Sequence, residues 1–182
     1  MSNTITRATV HDAQSVASLL RACWAEAYGG LLSPEALALI AQEWHHPDLL
    51  CRQITNPRAF FGLARTETGA LVGVATVKQS LDGAVLSVQR LYVLASYQRQ
   101  GIGSQLLSAA LAAFPVPQRL ELEVLEDNLS GRAFWAKQGF LVSGRAEARV
   151  GDTTLALVAM RRTVAAQTSV PSRETTPWSY GP

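Results

Sequence analysis

The sequence predicts one α/β domain of the α+β kind, a mostly antiparallel central sheet of about six to seven strands flanked by about four helices. Three observations carry this. Between residues 59 and 94, three segments of strand character are separated by short turns, the pattern of an antiparallel meander. Directly after them, over 103–114, apolar residues recur at helical spacing. The rest returns to a strand, a helix and a closing strand pair, with period 2 clearest in Leu120 to Leu125. The chain has 182 residues, enough for one domain of roughly 150 residues with a remainder.

Composition narrows the class. Hydrophobic residues are 48% and charged residues 16% of the chain, against a usual charged share of about 25%. Such a chain is expected to fold, because disorder needs low hydrophobicity and high net charge. No stretch approaches the roughly 18 apolar residues of a membrane-spanning helix, so no membrane partner is expected. The net charge is +2, from 14 Arg and 2 Lys against 14 acids, and the densest basic run is Arg161-Arg162. No nucleic-acid partner is expected, since such binders concentrate basic charge on one face. Met1-Ser2-Asn3-Thr4 shows no export signal, and a reducing cytoplasm is the expected compartment. Cys23 and Cys51 make no zinc pattern, and Cys23, inside a helical stretch, reads as a small buried hydrophobe. Adjacent His45 and His46 on a helix point about 100° apart with no third ligand near, so no metal is expected.

Taken in order, Thr4 to Val10 reads as a first strand and Asp12 as the N-cap of a helix. Val16, Leu19, Leu20, Cys23 and Trp24 form its apolar stripe, and Gly29-Gly30 stops it. Ser33-Pro34 opens a second helix with Ser33 as N-cap, and Pro47 ends it. The meander strands are Ala59 to Thr66, Leu71 to Lys78 and Val85 to Leu94, with turns at Glu67-Thr68-Gly69 and Asp82-Gly83. Gly103 to Phe114 is helical and closes on Pro115 and Pro117. Leu120 to Leu125 alternates Leu and Glu as a strand does, Leu129 to Gln138 is a helix stopped by Gly139, and Phe140 to Ala146 pairs with Thr154 to Met160. The domain is expected to span 1–163. The remainder, 164–182, is rich in Pro, Ser and Thr without apolar period and reads as a flexible tail.

The segment from Leu91-Tyr92-Val93 through Gln98-Arg99-Gln100-Gly101-Ile102-Gly103-Ser104 runs strand, loop, helix, and its loop is basic and glycine-bearing. That is an anion cradle. Free N–H groups and the helix dipole favour negative charge at a helix N-terminus, glycines admit a phosphate to the backbone, and Arg99 adds a full positive charge. It is neither a dinucleotide fingerprint, since position 106 is Leu, nor a P-loop, since no Gly-Lys-Ser/Thr follows.

Gln98-x-x-Gly101-x-Gly103 resembles the Q/R-x-x-G-x-G/A signature of the GCN5-related N-acetyltransferases. The stretch from Asn128 through Phe134, Trp135, Lys137, Gly139 and Phe140 resembles the N-x-x-A-x-x-F-Y-x-K-x-G-F segment of that family. The order of elements agrees, and the resemblance covers about residues 4–163. It implies an acetyl-CoA-binding fold with a mixed, V-splayed sheet and acetyl-CoA as acyl-donor cosubstrate. Pyrophosphate would sit on Gln98 to Ser104, and the pantetheine arm would pair with main chain at Leu91, Tyr92 and Val93, where an N–H would polarise the thioester carbonyl. Asn128 would bond the pantetheine arm or order its surroundings, and it is equally placed as a helix N-cap. Dimers are common in the family, so a homodimer is a possible assembly.

The sequence departs from the pattern at two places that matter for proton transfer. The family's Tyr after Phe, its usual proton donor, is Trp135, whose indole can donate a hydrogen bond to a thiolate or pack against cofactor or core but releases no proton near neutral pH. Tyr92, Ser104 or water are the remaining proton sources. The strand before the signature loop reads Ser87-Val88-Gln89-Arg90 and lacks the acid that many relatives carry there. Glu123, five residues before Asn128, is the candidate base, and partial desolvation would raise its pKa. Glu121, Glu123, Glu126 and Asp127 form an acidic patch suited to a cationic amine. Trp24, Tyr28 and Trp44 lie on the helices that, by the resemblance, border the acceptor. They read as core, with Trp24 and Tyr28 as candidate substrate contacts.

The function expected is acetyl transfer from acetyl-CoA to a primary amine of a small molecule or peptide, by direct attack in a ternary complex. The alternatives are a non-catalytic acyl-CoA-binding or sensing domain and an acetyltransferase for protein N-termini or lysines.

Overall fold

The computed structural model describes residues 3–115 and 119–164. The elements are β1 (Thr4–Arg7), α1 (Ala13–Tyr28), α2 (Pro34–Trp44), α3 (Pro47–Ile54), β2 (Ala59–Arg65), β3 (Leu71–Gln79), β4 (Val85–Val93), α4 (Ile102–Ala112), β5 (Arg119–Leu125), α5 (Leu129–Lys137), β6 (Leu141–Val150) and β7 (Thr153–Thr163). The strands form one sheet in the order β1-β2-β3-β4-β5-β7-β6, antiparallel everywhere except between β4 and β5. The chain forms the expected α/β class, with a mostly antiparallel sheet of seven strands, the upper end of the six to seven expected. The tail expected at 164–182 lies, apart from Val164, outside the described residues.

Local chemistry explains where boundaries differ from the sequence expectation. β1 stops at Arg7 because Thr9 turns the chain: its N–H and hydroxyl both donate to Asp12 Oδ2, at 2.8 and 2.9 Å. Asp12 therefore closes a single helical turn at Val10–Asp12 and makes no side-chain cap on α1. Its other oxygen takes Arg65 at 2.6 Å. Ser33 caps α2 as expected, accepting from the Ala36 N–H at 3.2 Å. Pro47 does more than end α2. A proline lacks the N–H that a first helical position leaves unpaired, and here it opens α3, with His46 Nδ1 accepting from Asp48 N–H at 3.3 Å. The β6–β7 hairpin continues past its expected ends through an unbroken ladder from Gly144–Ala159 to Val150–Thr153.

Two apolar faces follow from strand alternation. Phe61, Leu63 and Val74 pack under α1 and α3, around Val16, Leu20 and Leu50. On the other face, Ala64, Val72 and Ala75 meet Ile102 and Leu106 of α4, and beyond them Leu86, Leu120 and Leu122 meet Leu107, Trp135 and Phe140. Gly73 lets α4 sit close to the sheet: a Cβ there would lie 3.1 Å from both Leu106 and the Tyr92 carbonyl oxygen.

Two irregularities shape the middle of the sheet. β4 and β5 pair only from Val85–Arg119 to Val88–Leu122 and then part, which leaves the β4 edge from Arg90 to Val93 without a neighbour. On its other edge β4 pairs with β3, with a bulge that inserts Gln89 between the Val88–Val77 and Arg90–Thr76 pairs. The bulge turns Arg90 and Tyr92 toward α1, α2 and α3 and leaves Leu91 and Val93 toward α4.

Candidate active site

The parting of β4 and β5 opens into a cavity of about 1090 Å³ that crosses the sheet. One end is the loop from β4 into α4. Gly101 caps α4 at φ 81°, a left-handed conformation that favours glycine, and Arg99 holds φ 63° beside it. The Gln105 N–H donates to the Gly101 carbonyl at 3.0 Å as the helix begins, and the N–H groups of the first turn ahead of it have no i−4 carbonyl within the helix. Gln98 does not reach outward. Its amide returns to the Val93 carbonyl at 2.9 Å and ties the loop to the end of β4.

Most residues singled out by sequence meet around this cavity. Leu91, Tyr92 and Val93 line it along the free β4 edge, as do Gln98, Arg99, Gly101, Ile102, Gly103 and Ser104 on the loop. Gln100 is outside the lining: it is exposed, and its amide donates to the Ser96 carbonyl at 3.3 Å. The Ile102 side chain is buried under α4, so its contribution to the cavity wall is chiefly main chain. Ser104 Oγ accepts from Gln138 Nε2 at 3.2 Å.

Asn128 does two things. Its Oδ1 caps α5, accepting from the Gly131 N–H at 2.8 Å, and its Nδ2 donates to the Tyr28 hydroxyl at 2.7 Å. Trp135 lines the cavity yet is 7% exposed and stacked edge-on between Phe134 and Phe140, at 5.0 and 5.2 Å between ring centres. Glu123 also lines the cavity and is exposed. Of the acidic patch, Glu121 pairs with Arg119 at 2.6 Å and Glu126 with Arg145 at 3.0 Å.

A family model described as the acetyltransferase (GNAT) family matches residues 14–140. The chain belongs to the GNAT acetyltransferase family. An uncharacterised N-acetyltransferase of Lactobacillus delbrueckii subsp. lactis is 25% identical over 143 residues, 74% of this chain and 82% of that protein. Among solved structures, the PaiA N-acetyltransferase of Thermoplasma acidophilum, in complex with coenzyme A, superposes with a TM-score of 0.74 at 22% identity, over 90% of this chain and all of that one. A GCN5-related N-acetyltransferase from Rhodopseudomonas palustris gives 0.73 at 21% identity, over 90% and 97%. Family membership makes this an acyltransferase, and the fold is the GNAT fold.

In this GNAT chain the opposite end of the cavity, between the sheet and the helices α1, α2 and α3, is aromatic. Trp24 is the hub, with ring centres of Tyr28, His45, Trp44 and Tyr92 at 4.7, 5.7, 5.9 and 6.2 Å. Trp24 and Tyr28 are both buried and both on the cavity wall, so the core and lining roles coexist. Burial pushes the Tyr28 phenol up, opposed by the Asn128 bond, and it pushes the Tyr92 phenol far up, with Tyr28 adding to the effect. Burial and the nearby Glu26 push the Cys23 thiol up to about 12, so it is no nucleophile.

Three wall residues carried no function in the sequence reading. Arg90 donates to the Trp44 carbonyl and to Gln53 Oε1, both at 2.8 Å. His45 is 3% exposed, and burial with Arg90 nearby takes it down to about 3. Gln53 lies on α3, the helix that Pro47 opens where the sequence pattern predicts only the end of α2. Among the described residues, no group of three or more His, Cys, Asp or Glu is placed to hold a metal ion, and no helix is long and apolar enough to cross a membrane.

Proposed function

We propose that the chain transfers an acetyl group from acetyl-CoA to the primary amine of a small molecule or peptide. The observation that carries this is the free β4 edge opening beside the α4 N-terminus within a single cavity. An unpaired strand edge offers N–H and C=O groups to an amide-bearing arm such as pantetheine, as an added strand would. The positive-φ turn at Gly101, the α4 dipole and Arg99 suit the pyrophosphate. The coenzyme A held by the Thermoplasma protein supports the same donor here.

In this reading Leu91 to Val93 hold the arm, and a main-chain N–H there polarises the thioester carbonyl. The ammonium group loses a proton to Glu123, directly or through water. The neutral nitrogen then bonds to the thioester carbon, the carbon–sulfur bond breaks to release CoA thiolate, and the nitrogen gives its remaining extra proton to water. Tyr92, kept neutral by burial, donates a hydrogen bond to that thiolate, and solvent supplies the proton. Asn128 sets the wall between donor and acceptor, and Trp135 packs between Phe134 and Phe140. Trp24 and Tyr28 contact the acceptor.

The test is thermal denaturation with acetyl-CoA followed by a thiol-release screen over amines. At a hundredfold excess over Kd, a ligand of the native state adds about 2.7 kcal/mol. Stabilisation with thiol release supports the proposal. Stabilisation without release across a broad amine panel points to a domain that binds acyl-CoA without catalysis. No stabilisation removes both.

A further inference from the structure

Arg90 sits where a cation has little to balance it. It lies on the aromatic wall of the cavity, on the α1–α3 side of the sheet, and no salt bridge reaches it among the described residues. A guanidinium carries five N–H donors. One goes to Gln53 and one to the Trp44 carbonyl at the C-terminal end of α2, whose dipole supplies only part of a negative charge. Among the described residues, the rest have no protein partner. Among the described residues, three neighbouring buried polar groups also have no hydrogen bond: His45 Nδ1 and the Trp24 indole N–H, which faces the Tyr92 hydroxyl, on the cavity wall, and Thr76 Oγ1, whose residue pairs with Arg90 across the strands, behind it. Buried polar groups are ordinarily paired, and a desolvated charge without a counter-charge is costly. Arg90, His45 and Trp24 line one cavity, and such a set is what a site prepared for a ligand leaves open.

The missing partner is an anion, and the cavity limits its kind. The other cations on the wall, Arg99 and Lys137, belong to the α4 loop and to α5, at the donor end. His45 is neutral. One guanidinium therefore faces the acceptor alone, which matches a singly charged carboxylate, planar and able to take two parallel N–H bonds. Glu123 stands across the opening. Leu125 packs with Trp24 and Tyr28, so Glu123, two residues earlier on β5, projects to the same face of the sheet as Arg90. Arg90 and Glu123 thus flank the gap just beyond the last β4–β5 pair, Val88–Leu122.

We propose that Arg90 receives the carboxylate of the acceptor, and that the acceptor is a compact molecule carrying amine and carboxylate together, an amino acid rather than a simple amine. This rests on the acetyltransferase reading above. The carboxylate docks on Arg90 among the aromatic rings, and the ammonium group stays on the Glu123 side, toward the thioester.

The experiment titrates CoA-bound full-length protein with a panel of amino acids, each beside its methyl ester and its decarboxylated amine, and measures each Kd by isothermal titration calorimetry. The expected result is that at least one free acid binds ten times or more tighter than its ester and amine. Arg90→Gln should abolish that preference, and Arg90→Lys, which keeps charge but not the fork, should restore part of it. Thiol release by the native protein should rank the three members of each set in the same order through KM. Acids, esters and amines binding alike, or none of them binding, overturns the inference, and native protein alone decides that if either variant fails to fold. A failure of the acetyltransferase reading shows differently, as carboxylate-dependent binding without thiol release.

Discussion

The side-chain amide of Asn128 donates to the Tyr28 hydroxyl at 2.7 Å and joins the N-terminus of α5 to the C-terminal turn of α1 across 100 residues of sequence. The same amide oxygen caps α5. One residue therefore fixes both the entrance of a helix and the position of a buried phenol on the cavity wall. Asn128→Ala should cost about 1–2 kcal/mol, or roughly 2–8 °C in Tm at this size. Tyr28→Phe should cost less, and in the Asn128→Ala background it should cost almost nothing more. Thermal denaturation of the four proteins reads the coupling, and simple additivity would refute it.

Gly131 is what allows this arrangement. A Cβ at that position would lie 2.7 to 2.9 Å from the Asn128 amide atoms. Glycine to alanine inside a helix ordinarily adds roughly 0.5–1 kcal/mol of stability. Gly131→Ala should instead lower Tm, and it should lose that effect in an Asn128→Ala background. A higher Tm for the single variant would show that the cap tolerates displacement.

At Gly101 the backbone itself sets the requirement. With φ at 81°, an alanine costs about 1–2 kcal/mol. Gly101→Ala should lower Tm and also shrink the shift produced by acetyl-CoA, because the strained turn is where the pyrophosphate is proposed to sit. An undiminished ligand shift would separate the turn from donor binding.

His45 makes stability depend on pH. Its folded pKa is down at about 3 from 6.5, so the unfolded chain takes up the proton first. Its contribution is complete above about pH 6.5 and is lost as the pH falls from there toward 3, by at most about 1.4 kcal/mol per pH unit. Between pH 7 and pH 4 the native protein should therefore lose on the order of 2–3 kcal/mol more than His45→Gln does. Urea unfolding of both proteins at each pH measures the difference, and parallel curves would exclude His45 as the source.

Glu123→Gln tests the proposed base. General-base removal commonly costs 10²–10⁴ in rate. Turnover should fall by about 10²-fold, the low end because Glu123 is exposed and water has access, while the acetyl-CoA shift in Tm stays the same. Unchanged turnover would move the base elsewhere.

Much of the proposed donor end is legible in the sequence because its geometry is local. A strand, a loop with Gly101 and a helix N-terminus are consecutive in the chain, so the anion cradle could be read from spacing alone. The acceptor end could not be read that way. Arg90 was visible only as the absence of an acid in its strand. Its exposure to the cavity depends on the bulge at Gln89, on α3 bringing Gln53, and on the Trp44 carbonyl at the end of α2, three segments that meet only in the fold. Gln100 shows the reverse case, a residue inside the motif whose side chain turns back on Ser96.

By itself, the sequence determined the class of the fold, the order of its elements and the loop suited to phosphate, because periodicity, capping and glycine placement are short-range properties. Only the tertiary structure decided where β4 and β5 part, which side of β4 Arg90 faces, and that Asn128 and Tyr28 share a bond. Those depend on register, on one inserted residue and on helix packing, where a shift of a single position carries a side chain to the other face of the sheet.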